Sequence, residues 1–314
     1  MRCHVLFNSQ SGTAHELGLT GAALQQRLAA AGHEATVDDD DRDLLARIAD
    51  AIAAEAEIVV VAGGDGTVTA VAQAMLDSDK TMAVLPMGTA NLLARDLGIP
   101  LDLEEWLASF ELMKPRRIDV GEVNGMVFLH KVVVGFVPGI AAGRELLRGR
   151  DGFGARLAFL HYFFRRLFRS RRLAVEIATP DGEPRIHRVQ AVAVANNAYE
   201  EGFARFFSRL RLDTGTLTLY VLKHLGLGDL FRLCIAFLLG RWRSDEALDI
   251  ESVEAVRIRS RKKSLNVMLD GEVTALRPPL SFTIKPGALK VLAPPIADSD
   301  AKVGEDAALP VEEQ

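Results

Sequence analysis

The sequence predicts a two-part fold: an α/β N-terminal domain with a parallel sheet, then a mostly antiparallel, β-rich, sandwich-like C-terminal domain with helical insertions. Strand-like and helix-like periodicities alternate through the first hundred residues, as in an open parallel sheet. After Pro115 strand-like runs dominate instead. The stretch 297–314 is acidic and poor in large apolar groups, which predicts a disordered tail. The boundary falls near residue 118, so the expected units are 1–118, 119–288 and the tail. A short strand at 289–292, within the segment 289–296, suits either domain.

In chain order, residues 3–7 read as a strand, 17–31 as a helix and 34–37 as a second strand. A helix follows at 44–56, and the β-branched run 58–61 reads as a strand buried on both faces. Residues 67–76 carry apolar side chains at helical spacing, and 82–85 make a fourth strand. In the second half, strands are predicted at 127–136, 173–178, 189–195, 216–221, 255–260, 264–269 and 280–284. The acidic run 38–41 reads as a solvated loop whose charges suit the N-terminus of the next helix.

Composition excludes several classes. A chain of 314 residues with 49% hydrophobic and 25% charged residues is ordinary globular material, long enough for two cores. A net charge of −5 disfavours a general nucleic-acid binder. Cys3 and Cys234 are the only cysteines; they make neither a zinc site nor a disulfide framework, which suits a reducing cytoplasm. The opening MRCHVLFNSQSG has too short an apolar stretch for a signal peptide. Segment 225–239 is the most apolar, but Gly226, Gly228, Asp229 and Arg232 interrupt it. It falls short of the ~20 apolar residues a bilayer span needs; it is a candidate interfacial helix but reads more readily as a buried or pocket-covering one. No internal repeat is found.

The chemistry is concentrated in VVVAGGDGTVTAV, residues 59–71. Gly63, Gly64 and Gly66 sit in a strand-to-helix turn, where missing Cβ atoms let a ligand approach backbone N–H groups. Such a turn at a helix N-terminus is an anion site. Asp65 would repel a phosphate unless a cation lay between them, so phosphate plus carboxylate implies Mg²⁺. The plainer reading is a tight turn with Asp65 as a helix cap. No Walker loop is present.

Residues 86–100 read PMGTANLLARDLGIP. With GGDGT at 63–67 and NSQSG at 8–12, this resembles the bacterial diacylglycerol kinase family of lipid kinases, whose catalytic domain is shared with sphingosine and ceramide kinases. The resemblance extends from residue 3 to about 293 and includes IDVG at 118–121 and DGE at 270–272, an order more specific than any one motif.

The resemblance implies ATP as co-substrate, with Asn8, Ser11, Gly12, Gly63, Gly64, Gly66, Thr67, Gly88, Thr89 and Asn91 around the nucleotide. It sets Asp65 facing the catalytic Mg²⁺, Asp119 at the metal and its waters, and Asp270 as the general base for the lipid hydroxyl. In sphingosine kinases the base role has been placed on the glycine-loop aspartate, so the division between Asp65 and Asp270 stays open. Glu272 is a candidate for ribose or metal. Taken alone, Asp119 reads equally as a strand-end residue and Asp270-Gly271 as a hairpin turn.

Departures from the family pattern are Ser9 in place of proline, His130 in place of asparagine, and Val137-Pro138 where an aspartate often follows the glycine. Asp213-Thr214-Gly215 stands for Asp-Asp-Gly, which keeps Asp213 but lacks one ligand of a second, structural Mg²⁺.

Segment 153–172, FGARLAFLHYFFRRLFRSRR, has apolar residues at helical steps and gathers Arg165, Arg166 and Arg169 at one end. It reads as an interfacial helix on anionic phospholipid, or equally as a helix packed on the second domain. The expected protein is thus a cytoplasmic lipid kinase, peripheral on the inner face of the membrane. Diacylglycerol giving phosphatidate is the default reaction; a sphingoid base, ceramide-like alcohol or monoacylglycerol are alternative acceptors. Oligomeric state stays open, with a homodimer among the expected partners and no nucleic acid. The rivals are an NAD kinase or phosphofructokinase with a similar glycine loop, and a regulatory lipid-binding protein retaining the kinase fold.

Overall fold

The computed structural model describes residues 1–135, 172–180, 182–200, 209–223 and 226–295. The interfacial segment with Arg165, Arg166 and Arg169, the pair Val137-Pro138 and the tail 297–314 lie outside the described residues. The described chain divides into two compact units. The first holds Met1–Asp119, to which the chain returns at 209–214 and 286–295; the second takes its residues from 120–200 and 215–285.

In the first unit, β1 (Arg2–Phe7), β2 (Glu34–Asp38), β3 (Ile58–Gly63) and β4 (Thr81–Pro86) form a parallel sheet. The order is β2-β1-β3-β4, and the second half of β16 (Leu280–Ala293) extends it, with Val291 opposite Met82 in parallel. Val59, Val60, Val61 and Ala62 are all fully buried, as expected of a strand covered on both faces. Helices α2 (Gly21–Ala30), α3 (Leu44–Ala53) and α4 (Asp65–Met75) pack on these strands. In α6 (Leu103–Phe110), Trp106 donates from Nε1 to Val84 O at 2.8 Å and stacks on Phe110.

The helix expected at 17–31 is two: α1 (Gly12–Glu16) and α2. Gly18, at φ +57°, donates its N–H to His15 O, and Leu19 N–H reaches Ala14 O, a Schellman stop for α1. Thr20 then caps α2 by accepting from Ala23 N–H. The acidic run 38–41 is not wholly solvated. The Asp38 side chain is buried against Arg47 of α3, whose Nε lies 3.0 Å from Oδ1.

The second unit packs two antiparallel sheets. One has the order β12-β11-β10-β7-β14-β15: β7 (Lys131–Gly135), β10 (Ala191–Asn196), β11 (Leu217–Leu222), β12 (Leu248–Val253), β14 (Leu265–Leu269) and β15 (Glu272–Leu276). The other joins the first half of β16 to β13 (Ala255–Arg259), β8 (Leu173–Ala178) and β9 (Arg185–Val189). Alternate residues point inward: Val132, Val134, Val192, Val194, Leu217 and Leu219 meet Val175, Ile177, Val256, Ile258, Leu280 and Phe282 in one apolar cluster. A hairpin of the end of β5 (Lys114–Val123) with β6 (Met126–Phe128) adds Val123 and Phe128.

The strand expected at 127–136 is divided at Leu129-His130, and that at 189–195 is divided by Gln190 into β9 and β10. The runs 280–284 and 289–292 form the single strand β16. Strands β5, β12 and β15 were not expected, because their alternation is masked by charged residues.

Helix α7 (Leu227–Leu239) lays Leu233 and Ala236 against Tyr220 and Trp242 on the outer face of the first of these sheets. Of the readings the sequence left open for it, full burial is ruled out: Phe231 is 71%, Leu239 59%, Leu238 52% and Ile235 41% exposed. Among the described residues, no helix is long and apolar enough to cross a membrane.

Burial holds the imidazoles of His4 and His33 below their ordinary value, with Asp38 the largest opposing influence at His4. Their protonation is therefore easier in the unfolded chain, so their contribution to stability is complete above about pH 6.5 and is lost as pH falls from there through their lowered folded values. Melting temperature should drop between pH 7.5 and 5.5 and drop less in a His4→Gln, His33→Gln double variant. A profile equally steep in both proteins would remove these histidines as the cause.

Candidate active site

Strand order sets where a ligand goes. In the order β2-β1-β3-β4, chain direction of travel reverses between β1 and β3, and the crevice lies beyond their carboxyl ends. Three loops emerge there, 8–12 after β1, 63–67 after β3 and 87–91 after β4.

Backbone hydrogen bonds tie these loops together. Asn8 N–H reaches Ala62 O, Met87 N–H reaches Gly63 O, and Thr13 N–H reaches Met87 O, at 2.9, 3.1 and 3.1 Å. Asn8 Oδ1 accepts from Gln10 N–H and Ser11 Oγ donates to Asn8 O. These side-chain bonds stiffen a turn in which Ser9 lacks the fixed φ of proline. Asn8 Nδ2 also donates to Thr67 Oγ1 at 3.3 Å, linking the first loop to the glycine loop.

Glycine is needed at 88 because the loops nearly touch, whereas a Cβ at 64 would lie 3.4 Å from Gly88 Cα, an ordinary contact. A Cβ on Gly88 would lie 2.6 Å from Gly64 Cα and 2.9 Å from Asn91 Oδ1. The Asn91 amide clasps Gly88 from both sides, Oδ1 accepting its N–H at 2.8 Å and Nδ2 donating to its carbonyl at 2.7 Å. Asn91 is thus committed to loop closure, which its left-handed backbone (φ 49°) permits. Gly12 faces Thr89, whose Oγ1 would lie 3.6 Å from a Cβ there.

Asp65 is a helix cap, but not of its own helix. Its Oδ2 accepts from Asn91 N–H at 2.9 Å and its Oδ1 from Leu92 N–H at 2.6 Å, so it holds the start of α5 (Leu92–Asp96). Helix α4 is capped by Gly64, with no side-chain hydrogen bond to its first turn. The N–H groups of that turn therefore remain directed at the crevice, an anion-binding arrangement.

The carboxylates assigned to metal each have a protein partner. Asp119 is interior to β5 rather than at a strand end; buried, it accepts from Gly287 N–H at 2.8 Å and donates its own N–H to Leu212 O. Asp213 is exposed and paired with Arg211 at 3.1 Å. Among the described residues no three His, Cys, Asp or Glu side chains converge as a metal cage, so Asp65, Asp119 and Asp213 are not one ligand set. Mg²⁺ needs only one or two carboxylates when phosphates and water supply the rest. Asp65, at the mouth of the anion site, has the donor chemistry for that.

In the second unit, Asp270 (φ 46°) and Gly271 (φ 100°) form the two-residue turn between β14 and β15, so the hairpin reading is correct. The carboxylate reaches across to the break between β6 and β7. Its Oδ2 accepts from Leu129 N–H at 2.6 Å, and Oδ1 from His130 and Lys131 N–H at 2.9 and 2.8 Å. Asp270 N–H donates to Lys131 O, while Asn196 supplies Nδ2 to Leu129 O and its backbone N–H to His130 O. Six backbone groups are thereby satisfied by two residues. His130, in place of the family asparagine, is buried with Nδ1 2.8 Å from Tyr199 Oη. Glu272 begins β15 and is exposed.

Two functional supports were missed from sequence. Asn196 reads there as one polar residue ending a strand, and the buried Arg209–Asp96 ion pair, which holds segment 209–214 to α5, joins residues 113 positions apart. Neither has a local signal. A Gly88→Ala variant should lose about 1–3 kcal/mol of stability and bind ATP at least about tenfold more weakly, because its methyl forces the loops apart. Titration calorimetry checks this, and unaltered affinity would show that the close approach is dispensable.

Comparisons with known proteins agree with this geometry. The family described as diacylglycerol kinase catalytic domain matches residues 2–123, and that described as YegS C-terminal NAD kinase beta sandwich-like domain matches 154–293. A Pseudomonas aeruginosa protein named "Probable lipid kinase YegS-like" is 30% identical over 294 residues, 92% of this chain and 93% of its own. A Bacillus subtilis protein named diacylglycerol kinase is 29% identical over 237 residues, 71% of this chain and 74% of its own. The crystal structure of a diacylglycerol kinase from Bacillus anthracis shares the fold, with a TM-score of 0.66 at 20% identity, covering 94% of this chain and 97% of that one. On the catalytic-domain match and the 30% identity over 92% of the chain, this protein belongs to the diacylglycerol kinase catalytic-domain family of lipid kinases.

Proposed function

We propose that this lipid kinase transfers the γ-phosphoryl group of ATP to the hydroxyl of diacylglycerol, giving phosphatidate, with Mg²⁺ as cofactor. The observation that carries the reading is the open N-terminus of α4 where three loops meet beyond β1, β3 and β4. Backbone N–H groups there suit the phosphates, and Asn8, Ser11, Thr67 and Thr89 add polar side chains around them. The diacylglycerol acceptor is supported by the name of the Bacillus subtilis relative.

Mg²⁺ bound with the nucleotide would neutralise charge on the phosphates. Asp65 is the residue proposed to hold it, with Asp119 further from that role because its carboxylate is committed to Gly287. In the transfer, the lipid oxygen bonds to the γ-phosphorus as the bond to the β–γ bridging oxygen breaks, and ADP leaves. The hydroxyl proton passes to a carboxylate. Asp270 is proposed for this task because three N–H groups fix its orientation, and phosphoryl transfer asks more for placement than for strong basicity. The work is proposed to occur at the cytoplasmic face of the membrane, with Arg165, Arg166 and Arg169 attracting anionic phospholipid.

The test is incubation with Mg²⁺-ATP and mixed micelles of diacylglycerol, monoacylglycerol, sphingosine or ceramide, with products identified by mass spectrometry. Phosphatidate is expected, and preference for another lipid would rename the acceptor. Asp270→Asn should keep ATP binding but lose about 100-fold or more of turnover. It should also melt lower, since the NH₂ that replaces one carboxylate oxygen cannot accept the N–H which that oxygen accepts. Loss of stability with turnover intact would leave Asp270 only its hairpin role. Asp65→Asn should lose Mg²⁺-dependent turnover; a cost of only about 0.5–2 kcal/mol in stability, with full activity, would leave it as a cap of α5.

A further inference from the structure

The exposed side of α7 has no part in the site described above. Residues 231, 235, 238 and 239 fall within one helical third, opposite Leu233 and Ala236, which pack on the sheet. Four large apolar side chains, one aromatic, are therefore turned to solvent on a helix of thirteen residues. Isolated apolar residues on a surface need no explanation, but a contiguous stripe on a packed helix marks an interaction site.

Charge distinguishes the occupant. From Leu230 to Ser244 the chain carries Arg232, Arg241 and Arg243 and no carboxylate. Arg232 follows Phe231 and is half exposed, and Arg241 follows the helix and is exposed. Asp245 and Asp229, the acidic neighbours, are paired with Arg232. Arg232 is therefore matched by carboxylates, with exposed Glu246 following Asp245, and Arg243 donates to Tyr199 O, so exposed Arg241 is the cation beside an apolar stripe suited to the boundary between acyl chains and headgroups.

The underside of α7 leads back to the chemistry within the same unit. Trp242 and Tyr220 have ring centroids 5.9 Å apart, Tyr220 and Tyr199 5.7 Å apart, and the Tyr199 hydroxyl meets His130, whose N–H is held by Asp270. A run of ring contacts thus connects the underside of α7 to the backbone held by the carboxylate proposed to receive the proton.

We propose that α7 is a membrane-docking helix, seated through Phe231, Ile235, Leu238 and Leu239 in the interface of an anionic phospholipid bilayer. This rests on the lipid kinase reading and adds an apolar attachment to the electrostatic one assigned to Arg165, Arg166 and Arg169. The two differ in salt dependence: attraction between exposed charges fades within a Debye length, about 8 Å at physiological ionic strength, whereas apolar burial persists in salt.

Cysteine chemistry supplies the probe. Cys234 is exposed on α7, whereas Cys3 is buried with its thiol pushed up to about 11, so a thiol-directed, polarity-sensitive fluorophore will label position 234. The full chain, so labelled, is mixed with phosphatidylcholine vesicles containing phosphatidylglycerol, at low and at high salt. The expected result is blue-shifted emission that survives high salt. A Phe231→Ser, Ile235→Ser, Leu238→Ser variant, all three being surface positions, should lose the shift and bind vesicles more than about tenfold less well. It should keep its melting temperature and its turnover on short-chain diacylglycerol in detergent micelles.

Emission and partition unchanged by the substitutions would overturn the proposal. So would a wild-type dimer that the substitutions convert to a monomer, since the stripe would then be a self-association face. Absence of turnover in wild type and variant alike, with the vesicle-dependent shift intact, would sink the kinase reading and leave the docking helix standing.

Discussion

The close approach of two backbones, at Gly64 and Gly88, is the constraint on which the nucleotide end of this protein depends. A Cβ at 88 would lie 2.6 Å from Gly64 Cα. Their contact brings the loop after β3 against the loop after β4, and it lets the Asp65 carboxylate reach the first N–H groups of α5. Asn91 then closes its own loop around Gly88. Sequence motifs that look like separate ligand contacts are in this sense one structural device: several of their polar groups hold loops to loops, and the N–H groups at the start of α4 are what the device leaves for a ligand.

Asp270 plays the corresponding part in the sandwich. A strand must break between β6 and β7 for its N–H groups to turn towards this carboxylate, and Asp270 with Asn196 satisfies the backbone so released. The alternative readings of Asp270, as hairpin residue and as reactive carboxylate, do not compete, since the left-handed turn that makes the hairpin also aims the side chain. Rigid placement is what phosphoryl transfer requires of the group that takes the proton. The same node runs through His130 and Tyr199 into the aromatic cluster beneath α7. A helix that is apolar on both sides thus has an explanation for each: one covers the sheet, the other is turned outward beside arginines.

Much of the architecture was legible in the residues. The fully apolar β3 and β4, with amphipathic helices between strands, identify a parallel sheet because only a strand covered on both faces is apolar throughout. Alternation in β8, β10, β11 and β14 likewise marks a sandwich core. Boundaries were less legible. The helix at 17–31 is interrupted by a Gly18 stop that hydrophobic spacing does not register, and β12 and β15 present charged residues on their open faces. For α7 the sequence left an interfacial face and a buried one both open, because periodicity reports that a helix is apolar and not what stands against it.

The sequence by itself determined the family, the order of the motifs and the chemical identity of the candidate groups, since these depend on residue type and short spacing. Only the tertiary structure decided what each carboxylate touches: Asp65 on α5, Asp119 on Gly287, Asp213 on Arg211 and Asp270 on the 129–131 backbone. The physical reason is that hydrogen bonds act over about 3 Å in space, irrespective of separation along the chain. Asp270 and Leu129 are 141 residues apart, and no local pattern of hydropathy or charge encodes that meeting.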